Sequence, residues 1–240
     1  MKMREKLIIK KQSHDKIMWR SHEPSRLETF SDAVFAFALT LIVLSIEVPK
    51  SFDELAGLMK GTLSFGFCFL VLFMIWNTQN IFFRRFGLTD GRTVTLNGIL
   101  MFVSLIYVYP MKFLTTLFVD STYVEHGEVL PRMKTGQIAD LMILYSAGYF
   151  VIYLLFFLMY KNAERHSTEL ELTPAELYET RTTSYINLIN MAISATVIIA
   201  ALIVPAHMAG MCGFIYFLIG PAYTICYSYR GKRSRLQFAD

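Results

Sequence analysis

Along the 240 residues, apolar runs of about 20 positions recur between short polar segments, the length that crosses a hydrocarbon layer roughly 30 Å thick. The pattern predicts six membrane helices, at about Leu27 to Val48, Leu55 to Phe83, Val94 to Val119, Ile138 to Tyr160, Thr183 to Val204 and Met208 to Tyr229. Only Pro205, Ala206, His207 and Met208 part the last two. A tight turn is required there, because the combined segment is far too long for one crossing. Thr173-Pro174-Ala175-Glu176 reads as a helix start, with a capping hydroxyl, proline at the first position and an acid in the first turn. The fifth helix is therefore expected to begin ahead of its apolar run. No internal repeat is evident, so the expectation is an all-α polytopic membrane protein built as one six-helix unit.

Basic residues then orient the spans, since Lys and Arg are retained on the cytoplasmic side. The stretch through Arg26 holds eight of them; Arg84, Arg85 and Arg92 fall in the second loop, and Arg230, Lys232, Arg233 and Arg235 at the C-terminus. The first and third loops are the acidic ones, with Asp53, Glu54, Asp120, Glu125 and Glu128. Both termini are thus expected in the cytoplasm of a multi-pass protein of the cell membrane. The chain divides into an N-terminal arm at 1–25, a six-helix domain at 26–229 and a basic tail at 230–240. The fourth loop, 161–181, is mixed, its acids outnumbering its bases. An apolar content of 54% fits a membrane protein, and the net charge of +4 is mostly a topology signal that suits an anionic inner leaflet. It gives no support to a nucleic-acid partner. The first apolar run starts late and is of full span length, so the first helix is expected to stay attached rather than be cleaved as a signal. Cys68, Cys212 and Cys226 lie inside predicted spans without metal-ligand spacing, and read as small buried apolar residues.

Candidate chemistry is sparse. His207 stands alone in a turn, and no carboxylate pair or Ser-His arrangement shares one depth, which argues against an enzyme and against any bound cofactor. Pumps and transporters place several ionisable groups near the midplane, whereas nearly all charges here sit at helix ends. Lys60 and Lys112 are close enough to helix ends to snorkel. Asp32, one turn inside the first span, is the exception. Pro110 and Gly220-Pro221 could mark the broken helices of a secondary transporter, but neither has a counterpart in a second repeat.

The first helix opens with Arg26-Leu27-Glu28-Thr29-Phe30-Ser31-Asp32, an Arg-x-x-x-Phe-Ser-Asp pattern. This resembles the transmembrane protein 175 family of potassium channels, in its single-repeat bacterial branch. Trp76 in the second span, and Leu96-Asn97 with Pro110 in the third, extend the resemblance over most of the chain. Gln79 and Asn80 stand where the family usually carries a histidine pair. Arg26 and Asp32 are six apart and cannot meet on one helix, so each needs a partner elsewhere. A network joining Arg26, Ser31 and Asp32 to Gln79, Asn80 or Asn97 would satisfy them and fix the first helix to the second and third. A packing clamp is the favoured reading of this motif; direct ion binding by Asp32 is the alternative.

Ala33, Phe37, Thr40 and Leu44 recur at helical spacing, with Leu41 beside them. Spacing alone makes this an ordinary packing stripe. The resemblance implies more: the first helices of a homotetramer surround the symmetry axis, with Phe37, Leu41 and Leu44 at the constriction and Thr40 as the pore threonine. Apolar rings can gate by dewetting, and a ring of hydroxyls partly replaces a potassium ion's hydration shell. Phe37 departs from the commoner branched aliphatic residue and predicts a tighter closed constriction or a changed conductance. Neither a Thr-Val-Gly-Tyr-Gly filter nor the arginine series of a voltage sensor is present. The expected function is a potassium-selective leak-type channel in the lipid bilayer, with a secondary transporter or a proton-conducting protein as the alternative.

Overall fold

The computed structural model describes residues 19–20, 23–44, 51–52, 59, 62–119, 122–125, 128–134 and 136–237, with the side chains of residues 41–44, 62–64, 112, 114–116, 118–119, 123–125 and 235–237 outside that description. Six α-helices run in chain order: α1 (Arg26–Leu44), α2 (Thr62–Phe86), α3 (Gly91–Val119), α4 (Gln137–Arg165), α5 (Pro174–Ile203) and α6 (Ile219–Gln237). Among the described residues, five stretches are long and apolar enough to cross a membrane: 65–86, 91–111, 137–165, 174–203 and 206–234. The protein is a multi-pass helical membrane protein. At 19 residues, α1 is roughly 28 Å long at the α-helical rise, close to the hydrocarbon thickness.

Two features depart from a purely α-helical expectation. The third loop holds an antiparallel hairpin, β1 (Thr122–Glu125) and β2 (Glu128–Pro131), with Thr122 opposite Pro131 and Glu125 opposite Glu128. The last span also does not start as an α-helix: residues Ala206–Leu218 form a 3-10 helix that leads directly into α6. At three residues per turn, positions three apart line up. That geometry stacks Ala209, Cys212 and Ile215 in one row, the first two buried and the third half-buried against Val197 and Ala201 of α5 and Met142 of α4. Small residues let the row approach closely. Gly210 lies against Ile138 and Gly213 against Met142, at 3.7 and 3.8 Å from where a Cβ would stand. The turn between the last two spans is as short as expected, with Val204 and Pro205 alone between α5 and the 3-10 helix.

The fifth helix starts where the sequence places it. Thr173 is the N-cap and accepts from the Glu176 backbone N–H, while the Glu176 carboxylate accepts from the Thr173 N–H, a complete capping box with Pro174 in the first turn. The main core joins α1, α2, α3 and α4. Its densest part is an aromatic cluster of Phe82, Phe83, Phe86 and Tyr160, with rings meeting edge-on at centroid distances of 5.3 to 5.7 Å in the Phe82–Phe83, Phe82–Tyr160 and Phe86–Tyr160 pairs. Farther along the chain, Asn190 of α5 accepts from Tyr149 of α4 at 2.7 Å and donates to Tyr223 of α6 at 2.6 Å, tying three helices through one buried amide. Helix α6 continues past Arg230 to Gln237, so much of the basic tail is helical. Of the N-terminal arm, residues 1–18 lie outside the described residues.

Candidate functional site at the first helix

Helix α1 begins on a capping box. The Ser25 N–H donates to Glu28 Oε1 at 2.9 Å, and the Glu28 N–H donates to Ser25 Oγ at 3.2 Å. The Ser-x-x-Glu spacing was legible in the sequence and was missed there. One turn further in, α1 is gripped by side chains from its neighbours. Ser31 Oγ donates to the Leu27 carbonyl at 2.8 Å and accepts from Asn97 Nδ2 of α3 at 2.9 Å. Asn97 Oδ1 in turn accepts from Gln79 Nε2 of α2 at 2.5 Å. Ser31 and Asn97 are wholly buried and Gln79 is 2% exposed. The chain of bonds satisfies groups that neither lipid nor core could. An amide serves here without imidazole: Gln79 supplies the buried donor.

Beside this chain, the Trp76 indole N–H donates to Asp32 Oδ1 at 2.7 Å. Asp32 is exposed on the single subunit and borders a mostly apolar cavity of about 370 Å³ between α1 and α2, walled by Phe35, Ala36, Leu39, Leu72, Phe73 and Trp76. The structure therefore brings together Ser31, Asp32, Trp76, Gln79 and Asn97. It does not bring in Arg26, Phe30 or Asn80. Asn80 is half-buried and takes no part in these bonds. Arg26 and Phe30 are exposed, Phe30 at 60%, because they lie on the face of α1 opposite the one that packs.

That outer face is continuous. Arg26, Phe30, Ala33, Phe37 and Thr40, spaced four, three, four and three, are all exposed, and Phe37 reaches 61%. Phe35 and Ala38 on the other side are buried at 4% and 3%. Thr40 Oγ1 donates its proton to the Ala36 carbonyl at 2.9 Å, which leaves the oxygen lone pairs facing outward, the polarity that suits a cation. The side chains of Leu41 and Leu44 lie outside the described residues.

Two further polar clusters hold the basic end of the bundle. Asp90 caps α3, accepting from the Arg92 and Thr93 N–H groups and from Thr93 Oγ1, and also accepts from Asn162 of α4 at 3.1 and 3.2 Å. Desolvation pushes the Asp90 carboxyl upward, but the hydrogen bonds from Thr93 and Asn162 outweigh it and hold the group below its ordinary value. The second cluster surrounds Glu176. Its carboxylate, 1% exposed, receives a fork of two bonds from Arg20, Nη1 at 2.9 Å and Nη2 at 3.0 Å. Arg85 of α2, itself buried, donates from Nη2 to the Glu176 carbonyl at 2.9 Å and to Thr180 Oγ1 at 3.1 Å. In the sequence, Arg20 and Arg85 read only as topology signals. Nothing in the spacing reveals a partner 156 positions away.

Comparison with known proteins covers this geometry. The family model described as endosomal/lysosomal potassium channel TMEM175 matches residues 26–110, which span α1, α2 and α3 as far as Pro110. A curated potassium channel of Marivirga tractuosa is 35% identical over 92% of this chain and 94% of its own length. One from Chamaesiphon minutus is 33% identical over 38% of this chain and 49% of its own. Among solved structures, a variant of the potassium channel MtTMEM175 in complex with a nanobody fusion superposes with a TM-score of 0.79 at 33% identity, over 90% of this chain and 97% of that one. With its motif helix, its polar anchor and likeness along nearly the whole length, the chain belongs to the TMEM175 family.

Proposed function

We propose that the protein is a potassium-selective channel that passes ions down their gradient, as a homotetramer in the cell membrane with both termini in the cytoplasm. The permeant ion comes from the relatives, which carry the name potassium channel and match almost end to end. The route comes from α1. One face is held by a satisfied polar anchor while the opposite face carries Phe37 and Thr40 uncovered, and this division of one helix is the observation that carries the reading.

A subunit contributes a single such helix, so an enclosed lumen takes several copies about a closed axis. Phe37 rings then form the apolar constriction that gates by dewetting, with Leu41 and Leu44 on the same stripe by spacing. Thr40 presents its lone pairs to a partly dehydrated ion. Ser31, Asp32, Trp76, Gln79 and Asn97 do not touch the ion; they hold α1 against α2 and α3 so that its outer face keeps one orientation. No covalent step is involved.

The test is flux from liposomes holding purified protein under a potassium gradient. Parent protein is expected to release potassium passively, Phe37→Ala to release it faster, and Thr40→Ala to lose discrimination against sodium. Saturable uptake coupled to a second ion would establish a transporter instead. A monomer by mass measurement in detergent would abolish the shared pore.

A further inference from the structure

Resting on the reading of α1 as the pore helix, we propose that Arg20 and Glu176 are positioning residues that set the resting place of α1, and hence how often the pore opens. Arg20 lies six positions ahead of Arg26, where α1 begins. An extended chain covers at most about 20 Å over that interval, so the start of α1 stays on a short tether to Arg20.

Arg20 is anchored on three sides. Its guanidinium forks onto the buried Glu176 carboxylate of α5, and Nε donates to the Leu170 carbonyl at 2.9 Å. Its backbone N–H donates to the Arg84 carbonyl of α2 at 3.1 Å. Trp19 reinforces that third tie, lying 4.8 Å beneath the Arg84 guanidinium. The α5 side is equally fixed, because Glu176 completes the cap of its own helix and its carbonyl holds Arg85 of α2. The tie therefore links α2, α5 and the root of α1 through the Arg20–Glu176 pair. A planar fork on a carboxylate fixes direction as well as distance, which a lysine does not. Dilation of an apolar ring at Phe37 requires α1 to tilt or slide against α2 and α3, and the short tether opposes that displacement at its root.

Two measurements on the full chain test this. Arg20→Gln leaves the Thr173–Glu176 capping box and the backbone bond to Arg84 intact, and removes the guanidinium with its fork on Glu176 and its bond to the Leu170 carbonyl. Hydrogen exchange should then rise about tenfold at the first hydrogen-bonded amides of α1, residues 28–31, while residues 174–180 stay at the parental rate. Single-channel recording should show an open probability changed at least about threefold at unaltered unitary conductance, since the pore-facing side chains are untouched. Arg20→Lys should fall between parent and Arg20→Gln, and covers the case in which Arg20→Gln fails to assemble. Glu176→Gln, which keeps the Leu170 bond, should move both readouts in the same direction as Arg20→Gln, and the double variant should be no worse than Arg20→Gln alone. Parental exchange in α1 with parental open probability, or additive effects in the double variant, would overturn the proposal. If the parent itself passes no current, the pore reading falls, and the exchange measurement still decides the positioning.

Discussion

Asn97→Leu isolates the energetic weight of the polar anchor. Asn97 is wholly buried between Ser31 Oγ, to which it donates at 2.9 Å, and Gln79 Nε2, from which it accepts at 2.5 Å. Leucine, with the same branched heavy-atom shape and a larger volume, removes both bonds. Ser31 loses little, because its hydroxyl still donates to the Leu27 carbonyl at 2.8 Å. Gln79, 2% exposed, is left with an orphaned buried amide. Such an orphan costs about 1–3 kcal/mol, and hydrogen bonds between membrane helices average about 0.6 kcal/mol each, so Asn97→Leu should destabilise by roughly 2–4 kcal/mol. The double variant Gln79→Leu/Asn97→Leu removes the orphan together with its partner and should recover at least half of that loss. Reversible unfolding in mixed micelles, followed by far-UV circular dichroism or tryptophan fluorescence, gives the four corners of the cycle. A double variant as unstable as the sum of the singles, or an Asn97→Leu loss below about 0.5 kcal/mol, would refute the anchor.

Other predictions follow from single contacts. A methyl group on Gly148 of α4 would clash with the Cδ2–Cε2 edge of the Tyr107 ring on α3, which is itself buried, so Gly148→Ala should destabilise by about 1–3 kcal/mol and lower the melting temperature of the purified protein. Trp76→Phe keeps an aromatic ring but removes the pyrrole half of the indole with its donor to Asp32, with an expected loss of at least about 1 kcal/mol, a shift of at least about 2–4 °C for a chain of this length. Asp90 has a folded value below its ordinary one, so the stability it adds is complete above pH ~4 and is lost as pH falls through the depressed folded value. Melting curves across acid pH should show this fall in the parent and its absence in Asp90→Asn.

Much of the architecture was legible in the residues. The start of α5 at Thr173-Pro174 and the position of the short turn at Pro205 both stand as the local chemistry predicts, because caps and breakers act within a few residues of themselves. The spans follow for the same reason: lipid imposes a length and a polarity on each segment, whatever its neighbours.

What periodicity records is that a helix has two faces, and on α1 it could not say which face carried which members of the motif. Arg26, Phe30, Ser31 and Asp32 read as one group, yet the tertiary structure divides them, with Ser31 and Asp32 bonded to α3 and α2 and the other two on the opposite face. The 3-10 winding of Ala206–Leu218 likewise depends on how closely Ala209, Cys212 and two glycines allow that segment to approach α4 and α5. Arg20 finding Glu176, and Asn162 finding Asp90, depend on chain ends and loops meeting across the bundle. Hydropathy and local propensity thus determined the helices and their limits, whereas the choice of polar partners was made only when the helices packed, since a hydrogen bond requires two groups at one place and no residue carries the address of a distant one.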